Sequence, residues 1–347
     1  MHVLIITPGF PQNDNDAECI PPMQEFLREL IKSYPEITVS AVAIHYPYKK
    51  SRYNWDGIDV FACGGNSSRQ PWRTLYWIRA IFYSLQINKK NKIDLVHSFW
   101  LNENAFVGNA VSKLLKVKHI NTMMGQDAKA GNKFYKLINL KNIFKVALTE
   151  YQADFFREAC KLEPDMIIPW GLKSFEAGNH LRSIDILGAG SLIPLKNFQL
   201  FIEIVVEVKK EFPGIKCAII GDGEEKGVLR KKIFENNLTD TILMKGQLPR
   251  ESVLSDMKRS KIFLHTSNYE SFGFVIAEAL AAGCYLVSKK VGCAVPSEKL
   301  FVAEEIEDFK KIICNLLKSR KEFRASNIFP VQETAKAYAD VYFKLVE

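Results

Sequence analysis

The sequence predicts an α/β fold made of two domains, each a parallel sheet with helices on both faces. Short apolar runs typical of strands alternate with amphipathic helical runs along nearly the whole chain, which is the pattern of a parallel sheet covered by helices. A polar stretch at 173–181 interrupts the alternation, and a new series begins at Ser183. Because 347 residues suffice for two domains of ordinary size, we predict domains at residues 1–178 and 182–328.

The elements of the first domain follow from local patterns. The run at 3–7 is predicted to be a strand, because it is short, apolar and followed by turn residues. A helix is predicted from Met23 to Tyr34, with Pro22 at its start and apolar residues at helical spacing. Further strands are predicted at 38–43, 60–62, 95–98, 119–122 and 144–148.

The second domain is predicted to alternate strictly between strand and helix. Its strands are expected at 184–188, 216–220, 241–244, 262–265 and 285–288. Its helices are expected at 197–210, 226–236, 250–257 and 274–282. A final helix at 332–345 follows Pro330.

Bulk properties exclude several classes of protein. Hydrophobic residues make up 47% and charged residues 25%, which is typical of soluble globular proteins. No apolar run reaches the roughly 18 to 20 residues of a membrane span, and the N-terminal run is interpreted as a strand rather than a signal peptide. The seven cysteines form no C-x-x-C pair, so disulfides and structural zinc are not expected and a cytoplasmic location is predicted. The net charge of +8 suits an anionic partner.

The most informative segment is 268–287. It places Glu270 and Glu278 on either side of Ser271, Phe272 and Gly273, where a helix is predicted to start. A helix N-terminus offers unpaired N–H groups and a positive dipole end to a diphosphate, and carboxylates accept hydrogen bonds from sugar hydroxyls. Two glutamates at this spacing are common by chance, so the specificity lies in the whole run, which predicts a nucleotide-sugar site.

This run resembles the Glu-x7-Glu signature of the family 4 retaining glycosyltransferases. That family has the GT-B architecture, in which two Rossmann-like domains face each other across a cleft. The resemblance extends to a phosphate-binding segment at 190–197, a glycine turn at 219–224 and a nucleobase loop at 244–248. It is looser in the first domain, at 94–97 and 122–127. It also implies that a C-terminal helix at 331–347 crosses back to the first domain.

The resemblance assigns roles to three residues of the second domain. Glu270 is expected to hold the donor sugar, Glu278 the ribose, and Lys196 the diphosphate, although Lys196 could equally be a solvated loop lysine on position alone. With no Asp-x-Asp pair at a strand end, no metal is expected and the cationic role falls to Lys196 and the helix start. No cofactor is expected either. The remaining donor-binding candidates are Ser271, Phe272, Gly273, Gly190, Ser191, Gly221, Gly223, Gln247, Leu248 and Thr266.

Catalytic candidates on the acceptor side are His97, which ends a strand, and Asp127, which follows Gly125 after another. A lone histidine is more often structural. Three positions depart from the family pattern: Ser191 replaces an arginine, while Met124 and Phe99 replace histidines. Ser191 implies a different phosphate clamp, whereas Met124 and Phe99, together with the segment 9–16 in place of the family's glycine-rich loop, indicate a different acceptor or an impaired enzyme.

A segment at 69–92 combines aromatic and basic residues and allows two interpretations. It could contact a membrane interface, where both kinds of side chain anchor, or form a helix whose aromatic residues pack into the core, which we favour. The side chains concerned are Arg69, Trp72, Arg73, Tyr76, Trp77, Arg79, Phe82, Tyr83, Lys89, Lys90 and Lys92.

We therefore predict a retaining, metal-independent glycosyltransferase that moves a sugar from a UDP- or GDP-linked donor to a glycan or lipid-linked acceptor. The resemblance suggests a role in surface polysaccharide or glycoconjugate synthesis, in the cytoplasm or at the inner face of the membrane. No nucleic-acid partner is predicted. Two alternatives stay open: a non-catalytic GT-B partner that keeps the nucleotide site, and a nucleotide-sugar epimerase.

Overall fold

A computed structural model describes residues 1–16, 18–65, 73–173, 181–319 and 322–347. The chain divides into two compact units. Unit 1 comprises Met1–Lys173 with Phe329–Glu347, and unit 2 comprises Ser174–Ile328. Most of the predicted linker at 173–181 lies outside the described residues. Both units are α/β with largely parallel sheets, as the sequence predicts.

Unit 1 contains an eight-stranded sheet in the order β3-β4-β2-β1-β5-β6-β7-β8. Adjacent strands are parallel except β3 and β4, which pair antiparallel. Central β1 and β5 are buried along nearly their whole length, and the apolar run 3–6 of β1 is typical of such a strand. The strands are β1 (His2–Gly9), β2 (Thr38–Tyr46), β3 (Ser51–Trp55), β4 (Ile58–Ala62), β5 (Leu95–Phe99), β6 (Lys118–Thr122), β7 (Phe144–Ala147) and β8 (Met166–Ile167).

Four helices cover this sheet within the first part of the chain: α1 (Pro21–Ser33), α2 (Arg73–Lys90), α3 (Glu103–Leu115) and α4 (Glu150–Cys160). α1 begins with proline and buries one apolar face. α3 and α4 have side-chain caps, because Asn102 accepts from the backbone of Asn104 and Thr149 from that of Gln152.

Unit 2 contains a six-stranded parallel sheet in the order β11-β10-β9-β12-β13-β14. Its strands are β9 (Ile184–Ala189), β10 (Cys217–Ile220), β11 (Ile242–Gly246), β12 (Ser260–His265), β13 (Tyr285–Ser288) and β14 (Leu300–Val302). Its helices are α5 (Phe198–Glu211), α6 (Lys226–Glu235), α7 (Arg250–Lys258), α8 (Phe274–Ala281) and α9 (Ile306–Lys318). A short 3₁₀ turn, Pro194–Lys196, leads into α5.

The last helix, α10 (Val331–Val346), belongs to unit 1, as the resemblance implies. It packs against α1 and buries Tyr338 and Tyr342 completely. Phe26 of α1 meets the ring of Tyr338 at a centroid distance of 4.8 Å. α10 thus completes the core of unit 1.

The sequence patterns predict no strand at β3, β8 or β14 and no helix at α3, α4 or α9, so these elements are additions to the predicted set. β8 and β14 have two and three residues, too few to show a period. α9 is different, because its buried Phe309, Ile313 and Leu316 recur at helical spacing. This pattern could have predicted the helix from the sequence. Within the described part of the chain, no helix has the length and hydropathy needed to cross a membrane.

Candidate active site

The loops that follow β9 and β12 meet at the point where the strand order of unit 2 reverses. From β9 the chain proceeds outward to β10 and β11, whereas β12 leads outward in the opposite direction to β13 and β14. Parallel α/β sheets bind ligands outside the carboxyl ends of the strands at such a switch point. Lys196 lies in the first loop and Glu270 in the second, so the two predicted catalytic residues of unit 2 come together there.

Lys196 and Glu270 form an ion pair with an Nζ–Oε1 distance of 2.5 Å. The Glu270 side chain is 14% exposed and the Lys196 side chain 24%. His265 Nε2 lies 3.2 Å from the same carboxylate oxygen. Burial raises the pKa of Glu270, but the His265 hydrogen bond and the Lys196 charge outweigh it and hold the pKa at about 2. Glu270 is therefore ionised and can only accept hydrogen bonds.

Two hydrogen bonds tie these loops together. Thr266 Oγ1 donates to the carbonyl of Lys196 at 3.1 Å, and the amide of Asn268 donates to the carbonyl of Leu195 at 2.9 Å. Thr266 was predicted to contact the donor, but it is 3% exposed and its hydroxyl is committed to the neighbouring loop. It fits the role of a brace that positions Lys196.

The start of α8 is built around Gly273, whose φ of 81° lies in the left-handed region. A Cβ there would come within 2.9 Å of the Ile276 side chain. No side chain caps this helix end. The Ile276 amide donates to the Gly273 carbonyl at 2.8 Å, so the amides of Phe274 and Val275 are the ones that another acceptor could reach. Of the other two residues predicted here, Ser271 is half-buried, whereas the Phe272 ring is buried in the unit and its carbonyl accepts from Cys293. Phe272 therefore packs inside unit 2 and stabilises the turn before α8.

The glycine loops after β9 and β10 pack on each other. A Cβ on Gly221 (φ 146°) would lie 1.8 Å from the carbonyl oxygen of Gly190, and one on Gly223 would lie 2.4 Å from that of Leu192. These glycines therefore allow loop-to-loop contact, rather than the direct approach to a ligand that was considered. Ser191, which follows Gly190 in the loop after β9, is exposed.

The predicted nucleobase loop at 244–248 begins within β11 and continues past the end of that strand. Gln247 is exposed and Leu248 half-buried. The carbonyl of Gly246 accepts from the amide of Gly221 at 2.9 Å, which joins this loop to the glycine turn. The loop is thus on the same edge of the sheet as Lys196 and Glu270.

Glu278, on the second turn of α8, has a partner that the sequence did not reveal. Arg250 Nε donates to Glu278 Oε1 at 2.7 Å, and the Glu278 side chain is 10% exposed. The Arg250 guanidinium also lies 5.5 Å from the centre of the Phe274 ring. Arg250 opens α7, and only the packing of α7 beside α8 brings it here, so no local signal pointed to it.

His97 of unit 1 does not occupy a ligand-facing position. It is fully buried, with Nδ1 2.6 Å from the Tyr342 hydroxyl and Nε2 2.8 Å from Thr122 Oγ1. Burial lowers its pKa well below the ordinary value, so the ring is neutral. The prediction of a catalytic His97 is corrected by this geometry: the side chain points into the core and connects β5 and β6 to α10.

Asp127 is also engaged by its own unit. Its carboxylate accepts from the backbone amides of Leu101 at 2.6 Å, Gly125 at 2.5 Å and Met124 at 3.2 Å. Both oxygens are thereby occupied, which leaves a poor position for catalysis. Asp127 instead fixes the loops that follow β5 and β6.

The carboxylate of Glu103, at the start of α3, is a second site that the sequence did not reveal. It accepts from His45 Nε2 at 2.7 Å, Arg73 Nη2 at 2.8 Å and Trp77 Nε1 at 2.9 Å. Burial raises its pKa, but these hydrogen bonds, led by that from His45, hold it at about 2. This buried cluster ties α2 and α3 to the end of β2.

Helix α2 combines the two interpretations of segment 69–92. Tyr83 is buried, and Tyr76 and Trp77 pack against the core of unit 1, as the favoured interpretation predicts. The opposite face exposes Leu75, Ile78 and Phe82 at 46%, 62% and 54%. Lys89, Lys90 and Lys92 are exposed beyond them, whereas Arg69 and Trp72 lie outside the described residues.

Across the described ranges, no group of three or more His, Cys, Asp or Glu side chains could hold a metal ion.

Comparison with known proteins places unit 2 in a family. Residues 173–326 match the family model of glycosyl transferases group 1. A component of phosphatidylinositol N-acetylglucosaminyltransferase from Arabidopsis thaliana is 27% identical over 170 residues, which are 46% of this chain and 38% of that protein. The match thus spans well under half the length of that relative. The amylovoran biosynthesis glycosyltransferase AmsD from Erwinia amylovora is 24% identical over 260 residues, covering 70% of this chain and 72% of that protein.

Solved structures extend the likeness to the whole chain. Sucrose-phosphate synthase from Thermosynechococcus elongatus has a TM-score of 0.76 at 15% identity, covering 99% of this chain and 98% of that one. HepE from Anabaena, solved with UDP and glucose, has a TM-score of 0.69 at 16% identity, covering 99% of both chains. The fold is therefore GT-B, that of two Rossmann-like domains. The match to the glycosyl transferases of group 1 covers residues 173–326, which form nearly all of unit 2.

Proposed function

We propose that the protein is a retaining glycosyltransferase that moves a sugar from a nucleotide-sugar donor to a glycan or lipid-linked acceptor. The observation that carries the proposal is the Lys196–Glu270 ion pair beside the uncapped start of α8, with Glu278 on the same helix. The names of the relatives point to glycan and glycolipid synthesis. Because HepE was solved with UDP, a UDP-linked donor is our first choice and a GDP-linked donor the second.

In this mechanism, Lys196 and the α8 amides stabilise the leaving diphosphate. Negative charge grows on the diphosphate as the anomeric bond breaks, so groups placed there act in the transition state. An ammonium has three donors, so Lys196 can keep its bond to Glu270 while it donates to phosphate. Ionised Glu270 accepts from the hydroxyls of the donor sugar. Neither role requires a metal, and we propose that transfer is metal-independent.

Glu278 is proposed to accept hydrogen bonds from the ribose hydroxyls. The bond from Arg250 fixes one carboxylate oxygen of Glu278, so the group is held in one orientation before the nucleotide arrives. Binding then costs less side-chain entropy than it would for a mobile carboxylate.

The first test is calorimetric titration with UDP, GDP, ADP and their sugar conjugates. We expect one nucleotide to bind, Glu278→Ala to lose that binding, and Glu270→Ala to keep it while turnover falls. Glu251→Ala, at an exposed carboxylate in the first turn of α7, is the matched control and should change neither.

The outcomes separate the alternatives. If no nucleotide binds, the proposal is wrong. Nucleotide binding without transfer or hydrolysis would support a non-catalytic partner, and an isomerised donor formed without acceptor would indicate an epimerase. Proton NMR of the product decides whether the anomeric configuration is retained, and unchanged turnover in excess EDTA is expected if no metal takes part.

We further propose that the exposed face of α2 contacts a membrane surface. Leu75, Ile78 and Phe82 lie three and four residues apart and so share one face of the helix. Lys89 and Lys90 are in its last turn, and Lys92 follows its end. Replacing the three by serine should reduce co-sedimentation with vesicles that contain anionic lipid. Leu114→Ser is the control, because Leu114 is 60% exposed on α3. Binding insensitive to the triple change, or to anionic lipid, would contradict this contact.

A further inference from the structure

Trp100 lies at the topological switch point of unit 1. In this sheet β1 leads outward to β2 on one side and β5 leads outward to β6 on the other, so β1 and β5 flank the crevice where α/β sheets bind ligands. Trp100 is the first residue after β5. The position is therefore one where a side chain can meet a ligand.

The backbone of Trp100 adopts a conformation that tryptophan rarely takes. Its φ is 68°, in the left-handed region, which costs conformational free energy for a residue with a Cβ. Glycine would remove this cost, and asparagine would reduce it. Lys116 and Lys161 also have positive φ values, but they are the C-caps of α3 and α4, where this conformation ends a helix. Trp100 ends no helix, so its strain needs another reason.

Hydrogen bonds from three sides hold this strained residue. The Trp100 amide donates to the Thr122 carbonyl at 2.9 Å, and Asn121 Nδ2 donates to the Trp100 carbonyl at 3.1 Å. The next amide, that of Leu101, donates to Asp127 Oδ2 at 2.6 Å. Asn121 and Asp127 thus act as positioning residues for Trp100, which explains why Asp127 is saturated with backbone donors.

The indole ring of Trp100 is partly exposed and lies near Gly125, which has no side chain. Its Nε1 is 3.8 Å from the place that a Cβ on Gly125 would occupy. Among the residues that the structure describes, none forms a hydrogen bond with this nitrogen or a ring contact with this indole. An aromatic face presents an apolar surface to the C–H groups of a sugar ring, while the N–H can donate to a hydroxyl.

We propose that Trp100 is a sugar-binding residue of unit 1, which stacks on a pyranose ring of the acceptor and is positioned by Asn121 and Asp127. This inference rests on the proposed glycosyltransferase function. It gives the role of acceptor binding to Trp100, a residue that no sequence pattern selected. The patterns selected His97 and Asp127, which lie near it in the sequence.

The test uses the full-length protein labelled with 5-fluorotryptophan. The chain has five tryptophans, and the ¹⁹F resonance of Trp100 is the one that disappears in Trp100→Phe. The probes are the methyl glycosides of glucose, galactose, mannose and N-acetylglucosamine. We expect at least one of them to shift the Trp100 resonance saturably and more than the other four. If none shifts it, or if all resonances move alike, the inference is wrong.

Trp100→Asn separates binding from packing, because asparagine tolerates the left-handed backbone but lacks the ring. For the glycoside that binds, we expect Kd to rise about tenfold, with Tm unchanged or raised. Trp100→Phe should recover most of the affinity. Lys116→Asn makes the same backbone change at the end of α3 and should leave Kd unchanged. A lower Tm with unchanged Kd in Trp100→Asn would show a packing role only.

Asp127→Asn tests the positioning role. An asparagine amide group cannot accept at both of its ends, so part of the backbone hydrogen bonding is lost. We expect the Trp100 resonance to move in the absence of sugar and the Kd for the glycoside to rise. An unmoved resonance would contradict positioning by Asp127. Because none of these readouts uses the donor, they can fail while nucleotide binding succeeds, or the reverse.

Discussion

At the scale of single residues, Glu270 shows how a charge is kept in a largely buried place. Burial alone would favour the protonated form, but His265 and Lys196 supply a hydrogen bond and an opposite charge. The charge of Glu270 is therefore set before any substrate enters. A carboxylate prepared in this way loses little free energy to reorganisation when a sugar hydroxyl replaces water.

Glu270 should make acid stability pH-dependent. Its pKa is about 2 in the folded protein against 4.5 in the unfolded chain. Its contribution is therefore present above pH 4.5 and is lost as the pH falls toward 2, with a full size on the order of 3 kcal/mol. In urea unfolding, the difference in free energy between the wild type and Glu270→Gln should shrink as the pH is lowered. A difference that stays constant with pH, as expected for the exposed control Glu251→Gln, would contradict this pairing.

The sequence selected Lys196, Glu270 and Glu278 through a local motif, and the structure brings Lys196 and Glu270 into contact. It misjudged His97 and Asp127 because a position at a strand end does not tell which way a side chain points. The partner of His97 is Tyr342, 245 residues away, and the donors to Asp127 are backbone amides that leave no trace in residue identity. Arg250 was missed for a similar reason, since its contact depends on how α7 packs beside α8.

At the scale of elements, the loops of unit 2 are shaped by contacts between backbones. Gly221 brings the loop after β10 against the loop after β9, and its amide donates to the carbonyl of Gly246 at the end of β11, where the next loop begins. Three loops of the proposed donor site are thus set by one close approach. The sequence predicted a turn here, but the close neighbour of the turn is another loop.

Gly221→Ala should damage the donor site strongly. The added Cβ would stand 1.8 Å from the Gly190 carbonyl oxygen, so one of the two loops must move. We expect loss of nucleotide binding by calorimetry together with a lower Tm. Gly227→Ala is the matched control, because Gly227 lies in α6 with no atom within 4 Å of the new Cβ. That change should keep binding and add about 0.5–1 kcal/mol of stability. Equal behaviour of the two variants would show that the loop contact is unimportant.

At the scale of the whole molecule, the sequence predicted the type of fold more accurately than it predicted the individual strands and helices. The alternation of strands and helices fixes a parallel α/β sheet, and most predicted elements lie within a few residues of the observed ones. The resemblance, confirmed by the family match of unit 2, supplied the return of α10 to unit 1. Short edge strands such as β8 escaped, because two residues are too few for a pattern to show.

The anchoring of α10 can be tested at Tyr342. Tyr342→Phe removes the partner of His97 Nδ1 and leaves a buried polar atom unsatisfied, which should cost about 1–3 kcal/mol. The free energy of unfolding from urea titration measures it. Tyr48→Phe is the control, because Tyr48 is 67% exposed and should lose almost nothing. Nucleotide binding by unit 2 should be the same in both variants, and equal stability of the two would contradict the buried hydrogen bond.

The return of α10 has a consequence for biosynthesis. Most of unit 1 is translated before unit 2, yet its core needs Tyr338 and Tyr342, which are translated after unit 2. Unit 2 is continuous in sequence and is fully translated before α10. We therefore expect unit 2 to fold before unit 1. Until α10 is translated, the face of the sheet around His97 lacks the rings of Tyr338 and Tyr342 that cover it in the folded protein.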